Sequence, residues 1–167
     1  TREDVSVLIR SGADKVSVNS AAVAEPRLIS RLADSFGSQC VVDAIDAQLI
    51  DGEWMVCING GRKVTGLRAL DWAGEAERLG AGEILLTSFN RDGTKEGFSI
   101  EITSAISERV NIPVIASGGA GTMEHFRQVF EETSCSAALA ASVFHFGEIL
   151  IPDLKRYLQK NNINVRL

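Results

Sequence analysis

Short apolar segments alternate with helix-like segments along nearly the whole sequence. Strands are predicted at 15–19, 40–45, 83–87, 113–116 and 137–141, and a helical segment follows each of them. Strands that are apolar on both faces and joined through helices form parallel sheets, which those helices cover. The pattern therefore predicts an α/β fold made of five βα units.

Local signals mark where the predicted helices begin. Thr1 followed by Asp4 has the pattern of a capping box, and Pro26 is typical of a helix start. The expected helices cover residues 1–11, 26–36, 67–79, 98–110, 122–131 and 152–160. Tight turns at 50–53 and 59–62 predict a hairpin-like insert between the second strand and its helix.

The number of units predicts an incomplete barrel. A helix precedes the first strand, and five βα units leave a parallel sheet with two open edges. An eight-stranded barrel closes on itself and needs ~250 residues, whereas this chain has 167. We therefore expect a partial barrel of the (β/α)8 TIM-barrel class. Residues 1–167 would be the carboxyl-terminal part of a single barrel domain, with roughly the first three βα units, less their final helix, absent. The alternative is an open doubly wound sheet with the first and fifth strands at or near its edges.

The composition argues against two classes of partner. Lys and Arg number 17 against 22 Asp and Glu, a net charge of −5, and no basic surface for a nucleic acid is evident. No apolar run approaches the ~20 residues that cross a membrane, and no secretory leader is recognisable. Cys40, Cys57 and Cys135 are far apart and form no CxxC pair, which predicts reduced thiols in a cytoplasmic protein without a metal.

Three consecutive strand ends carry residues suited to an anion. The segment 115–121, Ile-Ala-Ser-Gly-Gly-Ala-Gly, joins the fourth strand to its helix and leaves backbone N–H groups free at a helix start. The loop after the third strand contains Asp92 and Gly93, and the fifth strand ends at Ser142. Because the carboxyl ends of parallel strands share one edge, these loops predict a site for a phosphorylated small molecule.

One carboxylate is placed for proton transfer. Asp46 ends the second strand, where an acid at the mouth of a parallel sheet can act as a general acid or base. Asp43 is the rival, and the two must face opposite sides of the strand because they are three residues apart. Spacing alone leaves a capping or salt-bridging role for Asp46 equally open, and Asp92 before a glycine is also typical of a plain turn.

Other polar residues have weaker signals. Thr87 ends the third strand and would hydrogen-bond either a ligand or the backbone. Lys15 and Glu83 lie at strand starts, where charged groups are usually solvated, and a polar gate through the barrel axis is the alternative. His125 and His145 have no partner at metal-binding spacing, so structural roles are expected for both.

Several segments in order carry a family resemblance. They are Val-Val-Asp-Ala-Ile-Asp-Ala (41–47), Gly-Ala-Gly-Glu-Ile-Leu-Leu-Thr-Ser (80–88), Arg-Asp-Gly-Thr-Lys-Glu-Gly (91–97), Ile-Ala-Ser-Gly-Gly-Ala-Gly (115–121), Ala-Leu-Ala-Ala-Ser-Val-Phe-His-Phe (138–146) and Asn-Val-Arg-Leu (164–167). Together they resemble the cyclase subunit family of imidazole glycerol phosphate synthase, in histidine biosynthesis.

The resemblance implies a (β/α)8 barrel and a reaction. Ammonia from a glutaminase partner would meet a bis-phosphorylated ribulosyl aminoimidazole carboxamide, giving imidazole glycerol phosphate and aminoimidazole carboxamide ribotide. Two aspartates act as acid and base in the family. One of them falls on Asp46, and the other belongs to a first barrel strand that this chain lacks. No cofactor is implied.

The resemblance also implies binding residues. Asn19 and Ser20 would help hold one phosphate, Thr87 would line the site, and Lys15 and Glu83 would belong to the ammonia entrance. The other phosphate would be surrounded by Asp92, Gly93, Ser117, Gly118, Gly119, Ala141 and Ser142.

Two alternatives to the cyclase remain at this point. The sister phosphoribosyl isomerase of the same pathway shares the barrel and the phosphate sites. The chain could also be a catalytically incomplete fragment that binds phosphate, since one acid–base group would be missing, and we expect the chain alone to be inactive.

Overall fold

A computed structural model describes residues 1–166, which form seven strands in one sheet. Leu167, the last residue of the Asn-Val-Arg-Leu segment, lies outside the described residues. The strands are β1 (Val16–Val18), β2 (Val41–Ile50), β3 (Glu53–Ile58), β4 (Lys63–Arg68), β5 (Glu83–Ser88), β6 (Val114–Ser117) and β7 (Ala137–Leu139). The five predicted βα strands are β1, β2, β5, β6 and β7, so their prediction is confirmed.

Helices fill the connections between the strands. They are α1 (Arg2–Arg10), α2 (Ser20–Ala24), α3 (Arg27–Phe36), α4 (Ala69–Leu79), α5 (Ile100–Arg109), α6 (Met123–Glu132), α7 (Ser142–His145) and α8 (Ile151–Lys160). The capping box of α1 is confirmed, because Asp4 N donates to Thr1 Oγ1 at 3.3 Å and Thr1 N donates to Asp4 Oδ2 at 2.8 Å. α2 and α7 were not predicted from the sequence, because they are too short to show a helical period.

The strand order decides between the two predicted architectures. The parallel strands lie in the order β1, β2, β5, β6, β7, so each neighbours the next parallel strand along the chain. A doubly wound sheet requires a point at which the strand order reverses. That alternative is therefore wrong. Within residues 1–166, β1 and β7 do not pair with each other, and the singly wound sheet is open.

The hairpin lies beside the carboxyl half of β2. Residues 41–43 of β2 pair with β1, whereas residues 46–50 pair antiparallel with β3 on the same edge. β2 therefore continues to Ile50, five residues beyond its predicted end. Past the last residue that pairs with β1, the backbone of β3 provides the hydrogen-bond partners on that edge. Asp51 and Gly52 both have positive φ, 49° and 85°, as a tight hairpin turn requires.

The two faces of the sheet have different environments. The outer face packs against the helices, and Ile45, Ile84 and Val114 on it are at most 1% exposed. The inner face carries Leu85 and Ile115, which are only partly buried, although the interior of a closed barrel is a packed core. The molecule therefore has one complete apolar layer under the helices and a second, open one.

Membrane-spanning helices and disulfides were considered in the sequence, and the structure bears on both. None of the helices in the described part of the chain is long and apolar enough to cross a membrane. Cys40, Cys57 and Cys135 are free thiols, as expected.

Candidate functional site

One row across the sheet brings three predicted residues together. Asp46 on β2 is opposite Thr87 on β5, and Thr87 is opposite Ser117 on β6. Residues in register on neighbouring strands point to the same face, so all three face the interior. Strands are ~4.8 Å apart, which puts Asp46 ~10 Å from the loop that follows β6. The predicted placement of these residues at one carboxyl edge is confirmed.

Asp43 lies on the opposite face of β2, as its spacing from Asp46 predicted. Its side chain is fully buried under the helices. Neither carboxyl oxygen has a hydrogen-bond partner within residues 1–166, and the same is true of the indole N–H of Trp72 nearby. Burial raises the pKa of Asp43 to about 7, and the indole acts in the opposite direction as the smaller effect. Asp43 is thus excluded from the inner site.

Asp46 is half-buried at the inner mouth. Its carboxylate accepts no hydrogen bond and forms no ion pair with any described residue. Burial raises the pKa of Asp46, and the negative charge of Asp92 raises it further. An acid that holds its proton to higher pH than usual, without an internal partner, is suited to exchange that proton with a ligand.

A cavity of ≈ 230 Å³ lies next to this row, between the loops that follow β5, β6 and β7. The seven residues predicted to surround one phosphate all line it: Asp92, Gly93, Ser117, Gly118, Gly119, Ala141 and Ser142. The remaining lining residues are Lys95, Ala120, Leu139 and Ala140. The structure thus brings into one place residues that are up to 50 positions apart in the sequence.

The glycines let two loops of the cavity pack backbone to backbone. Gly118 and Gly119 have φ of 89° and 98°, which other residues rarely adopt. A Cβ at Gly118 would lie 2.7 Å from the carbonyl oxygen of Ser88, and one at Gly119 would collide with that of Gly97. Gly97 N donates to Gly119 O at 2.7 Å and closes the contact. Only glycine at positions 118 and 119 allows the two loops to approach each other this closely and form the cavity wall.

Several backbone N–H groups at this wall are free. Those of Gly93, Gly118, Gly119 and Ser142 donate no hydrogen bond to another described residue. Free amides beside the start of α6, a ten-residue helix, form the kind of site that accepts an anion. Gly121 N, by contrast, donates to His125 Nδ1 at 3.1 Å, so His125 caps α6 and its expected structural role is confirmed.

Asn19 and Ser20 lie at the carboxyl end of β1, outside the cavity. Asn19 Nδ2 donates to the carbonyl oxygen of Ala44 at 2.9 Å, and Ser20 Oγ donates to Asn19 Oδ1 at 2.9 Å. Ser20 Oγ also accepts from Asn59 N in the hairpin turn at 2.9 Å. Asn19 therefore holds the end of β1 against β2, and Ser20 links that end to the hairpin turn. Their binding of a second phosphate stays a prediction.

Lys15 and Glu83 form an ion pair at the other end of the sheet. Glu83 begins β5 on the same face as Thr87, four residues before it, and its side chain is only 18% exposed. Lys15, whose side chain is 45% exposed, is partly solvated as expected, whereas Glu83 is largely shielded and is paired with Lys15 at the amino end of the inner face.

Lys95 and Glu148 are site residues that the sequence analysis missed. Lys95 lines the cavity, and its Nζ donates to both oxygens of Glu148 at 2.6 and 2.7 Å. A lysine two residues after Gly93 was a usable signal for an anion site. Glu148 had no such signal, because it lies 53 residues away in sequence.

Comparisons with known proteins show the family of this chain. Residues 1–150 match the family model described as "Histidine biosynthesis protein". The chain belongs to that histidine biosynthesis family. The family has the (β/α)8 barrel fold, with which the open singly wound sheet is consistent as a partial barrel, and the predicted fold class is confirmed.

Within the family, the chain is similar to proteins named imidazole glycerol phosphate synthase subunit HisF. It is 58% identical to that of Hydrogenobaculum sp. (strain Y04AAS1) over 168 residues, which cover 100% of this chain and 67% of the relative. It is 58% identical to that of Flavobacterium johnsoniae over 165 residues, covering 99% and 66%. The corresponding values for Clostridium botulinum (strain Langeland) are 56% over 167 residues, 98% and 66%. The chain thus spans about two thirds of the length of these relatives.

Proposed function

We propose that this chain carries the cyclase function of imidazole glycerol phosphate synthase. Ammonia from a glutaminase partner would convert a bis-phosphorylated ribulosyl aminoimidazole carboxamide into imidazole glycerol phosphate and aminoimidazole carboxamide ribotide. The main support is the placement of Asp46, an acid with a raised pKa, in one row with Thr87 and Ser117 beside a cavity of free amides. The names of the HisF relatives favour this function over the sister isomerase.

The phosphate site and the acid have separate tasks. Backbone amides of Gly118 and Gly119 hold one phosphate of the substrate. Binding energy at the phosphate then fixes the reacting atoms near Asp46 at the centre of the mouth, an entropic gain of roughly 7–11 kcal/mol at best. Asp46 gives a proton to, or takes one from, the reacting group, because burial and the charge of Asp92 raise its pKa and no described residue holds its carboxyl group.

The remaining predicted residues have proposed roles at the edges of this site. Asn19 and Ser20 hold the second phosphate at the end of β1. The ion pair of Lys15 and Glu83 lies at the amino end of the inner face, where ammonia would enter a closed barrel. Thr87 lies between Asp46 and Ser117 and contacts the part of the substrate that lies between its two phosphates.

We further propose that residues 1–167 are the carboxyl-terminal part of one barrel domain. The outward-facing apolar side chains support this arrangement, since Val7 and Leu8 on α1 and Phe146 near β7 are 64%, 52% and 72% exposed. They lie at the two ends of the open sheet, where further βα units would cover them. The chain alone would then bind phosphate without turnover, because the second acid–base aspartate would come from outside residues 1–167.

Turnover by complementation tests this function. The chain is incubated with the ribulosyl substrate and an ammonium salt, with and without the proposed amino-terminal barrel segment supplied in trans. We expect imidazole glycerol phosphate only in the complemented sample. Equal turnover by the chain alone contradicts the proposed incompleteness, and isomerase activity in place of cyclisation contradicts the cyclase.

The strand offers a matched pair of variants for the same assay. Asp46→Asn removes the proton-transfer group, so turnover falls by about 10²-fold or more while phosphate binding is retained. Asp43→Asn makes the same substitution three residues away on the other face and leaves turnover unchanged. Full activity of Asp46→Asn overturns the role given to Asp46.

A further inference from the structure

We propose that Lys95 is a ligand of the bound phosphate and that Glu148 competes with the phosphate for the Lys95 ammonium group. Glu148 would therefore set the affinity of the cavity. This inference rests on the proposed phosphate site and adds to it a positive charge and an internal competitor for that charge.

The position of Lys95 supports the first part. It lies on the loop after β5 and lines the cavity together with Asp92 and Gly93. Its backbone has φ of 60°, and its carbonyl oxygen occupies the space that a Cβ at Gly121 would need. The Lys95 backbone is therefore held against the loop after β6, and only its long side chain is free to change partner.

The charges around the cavity support the need for Lys95. Among the described residues that line the cavity, Lys95 carries the only positive charge and Asp92 the only negative one. Asp46 adds a second carboxyl nearby, since the charge of Asp92 acts on its pKa. A phosphate with up to two negative charges would be repelled by these carboxylates, and the Lys95 ammonium group is positioned to compensate.

The ion pair supports the second part. Lys95 Nζ contacts both Glu148 oxygens, yet the two side chains are 44% and 39% exposed. Half-exposed pairs of this kind contribute little to stability, because water screens them. A phosphate in the cavity also offers the ammonium a charge-assisted bond, and it carries up to two negative charges where the Glu148 carboxylate carries one. Exchange of Glu148 for phosphate is therefore favourable and reversible.

Binding of inorganic phosphate to the full chain, measured by calorimetry, tests the inference. Lys95→Gln weakens phosphate binding about tenfold, because a charge-assisted hydrogen bond is lost. Glu148→Gln tightens binding several-fold, because the ammonium is released. Lys160→Gln, on the exposed end of α8, is the matched control and leaves the affinity unchanged. Thermal unfolding of each variant verifies that it is folded.

The double variant separates the competing explanations. If Glu148 acts through Lys95, Glu148→Gln has no effect on phosphate affinity in the Lys95→Gln background. An equal tightening in both backgrounds means direct repulsion of the anion by Glu148 and overturns the competition. Unchanged affinity in Lys95→Gln overturns the role of Lys95. If the unsubstituted chain binds no phosphate, the proposed site itself fails, which is a different result from either of these.

Discussion

Asp43 and Asp46 are the same residue type three positions apart, and their surroundings give them different chemistry. Asp46 faces the open mouth, where a ligand can reach it, whereas Asp43 is under the helices without a hydrogen-bond partner among residues 1–166. The period of two in a strand predicted that they face opposite sides. It could not predict which side is the interior, because that depends on where the helices pack.

The buried Asp43 predicts an unusual pH dependence of stability. Its folded-state pKa of about 7 is above the model-peptide value of 3.8, so the folded protein keeps a proton that the unfolded chain releases. This group therefore lowers the free energy of unfolding as pH rises from about 4 to about 7, by up to about 4 kcal/mol. Asp43→Asn abolishes that contribution, and the variant gains stability relative to the unsubstituted chain as pH rises.

Urea unfolding at pH 5 and pH 8 measures this effect. Asp34→Asn, on the exposed face of α3, is the control and follows the unsubstituted chain at both pH values. An Asp43→Asn profile parallel to that of the unsubstituted chain would show that Asp43 ionises in the folded protein as it does in a peptide.

At the scale of elements, the six predicted helices begin and end within two residues of the observed bounds, because their caps and apolar periods are local signals, whereas α2 and α7 were not predicted. The strand ends were less accurate. β2 runs to Ile50 because β3 pairs with it, and β7 ends at Leu139, two residues before its predicted end. The glycine loop after β6 was recognised from its composition, but its packing on the loop after β5 was not visible in the sequence.

The packing of these two loops predicts that a methyl group added at position 119 destabilises the protein. Gly119→Ala places a Cβ against the carbonyl of Gly97 and strains a φ of 98°, so it costs about 1–3 kcal/mol of stability and weakens phosphate binding. Gly66→Ala, on β4 with open space around its Cβ, changes stability by less than about 0.5 kcal/mol. Chemical unfolding and phosphate titration measure both. Equal effects of the two substitutions would contradict the loop contact.

At the scale of the whole molecule, the open sheet predicts self-association. Phe146 and Ile151 are 72% and 49% exposed beside the β7 edge, and uncovered apolar surface next to an unpaired strand favours contact with a second copy. The combined change Phe146→Lys and Ile151→Lys reduces concentration-dependent association in sedimentation velocity. Leu67→Lys, at an exposed apolar position on β4 away from that edge (38% exposed), does not. Unchanged association in the double variant would exclude this surface.

The amino-acid sequence by itself determined which segments become strands and helices, where glycine is needed, and which residues could bind an anion. These properties depend on neighbours within a few positions, through backbone sterics and helical or strand periodicity. Only the tertiary structure decided the strand order, the row of Asp46, Thr87 and Ser117, the burial of Asp43 and the pairing of Lys95 with Glu148. Contacts, charge interactions and pKa values depend on distances between atoms, and residues far apart in sequence acquire those distances only when the sheet and its helices pack.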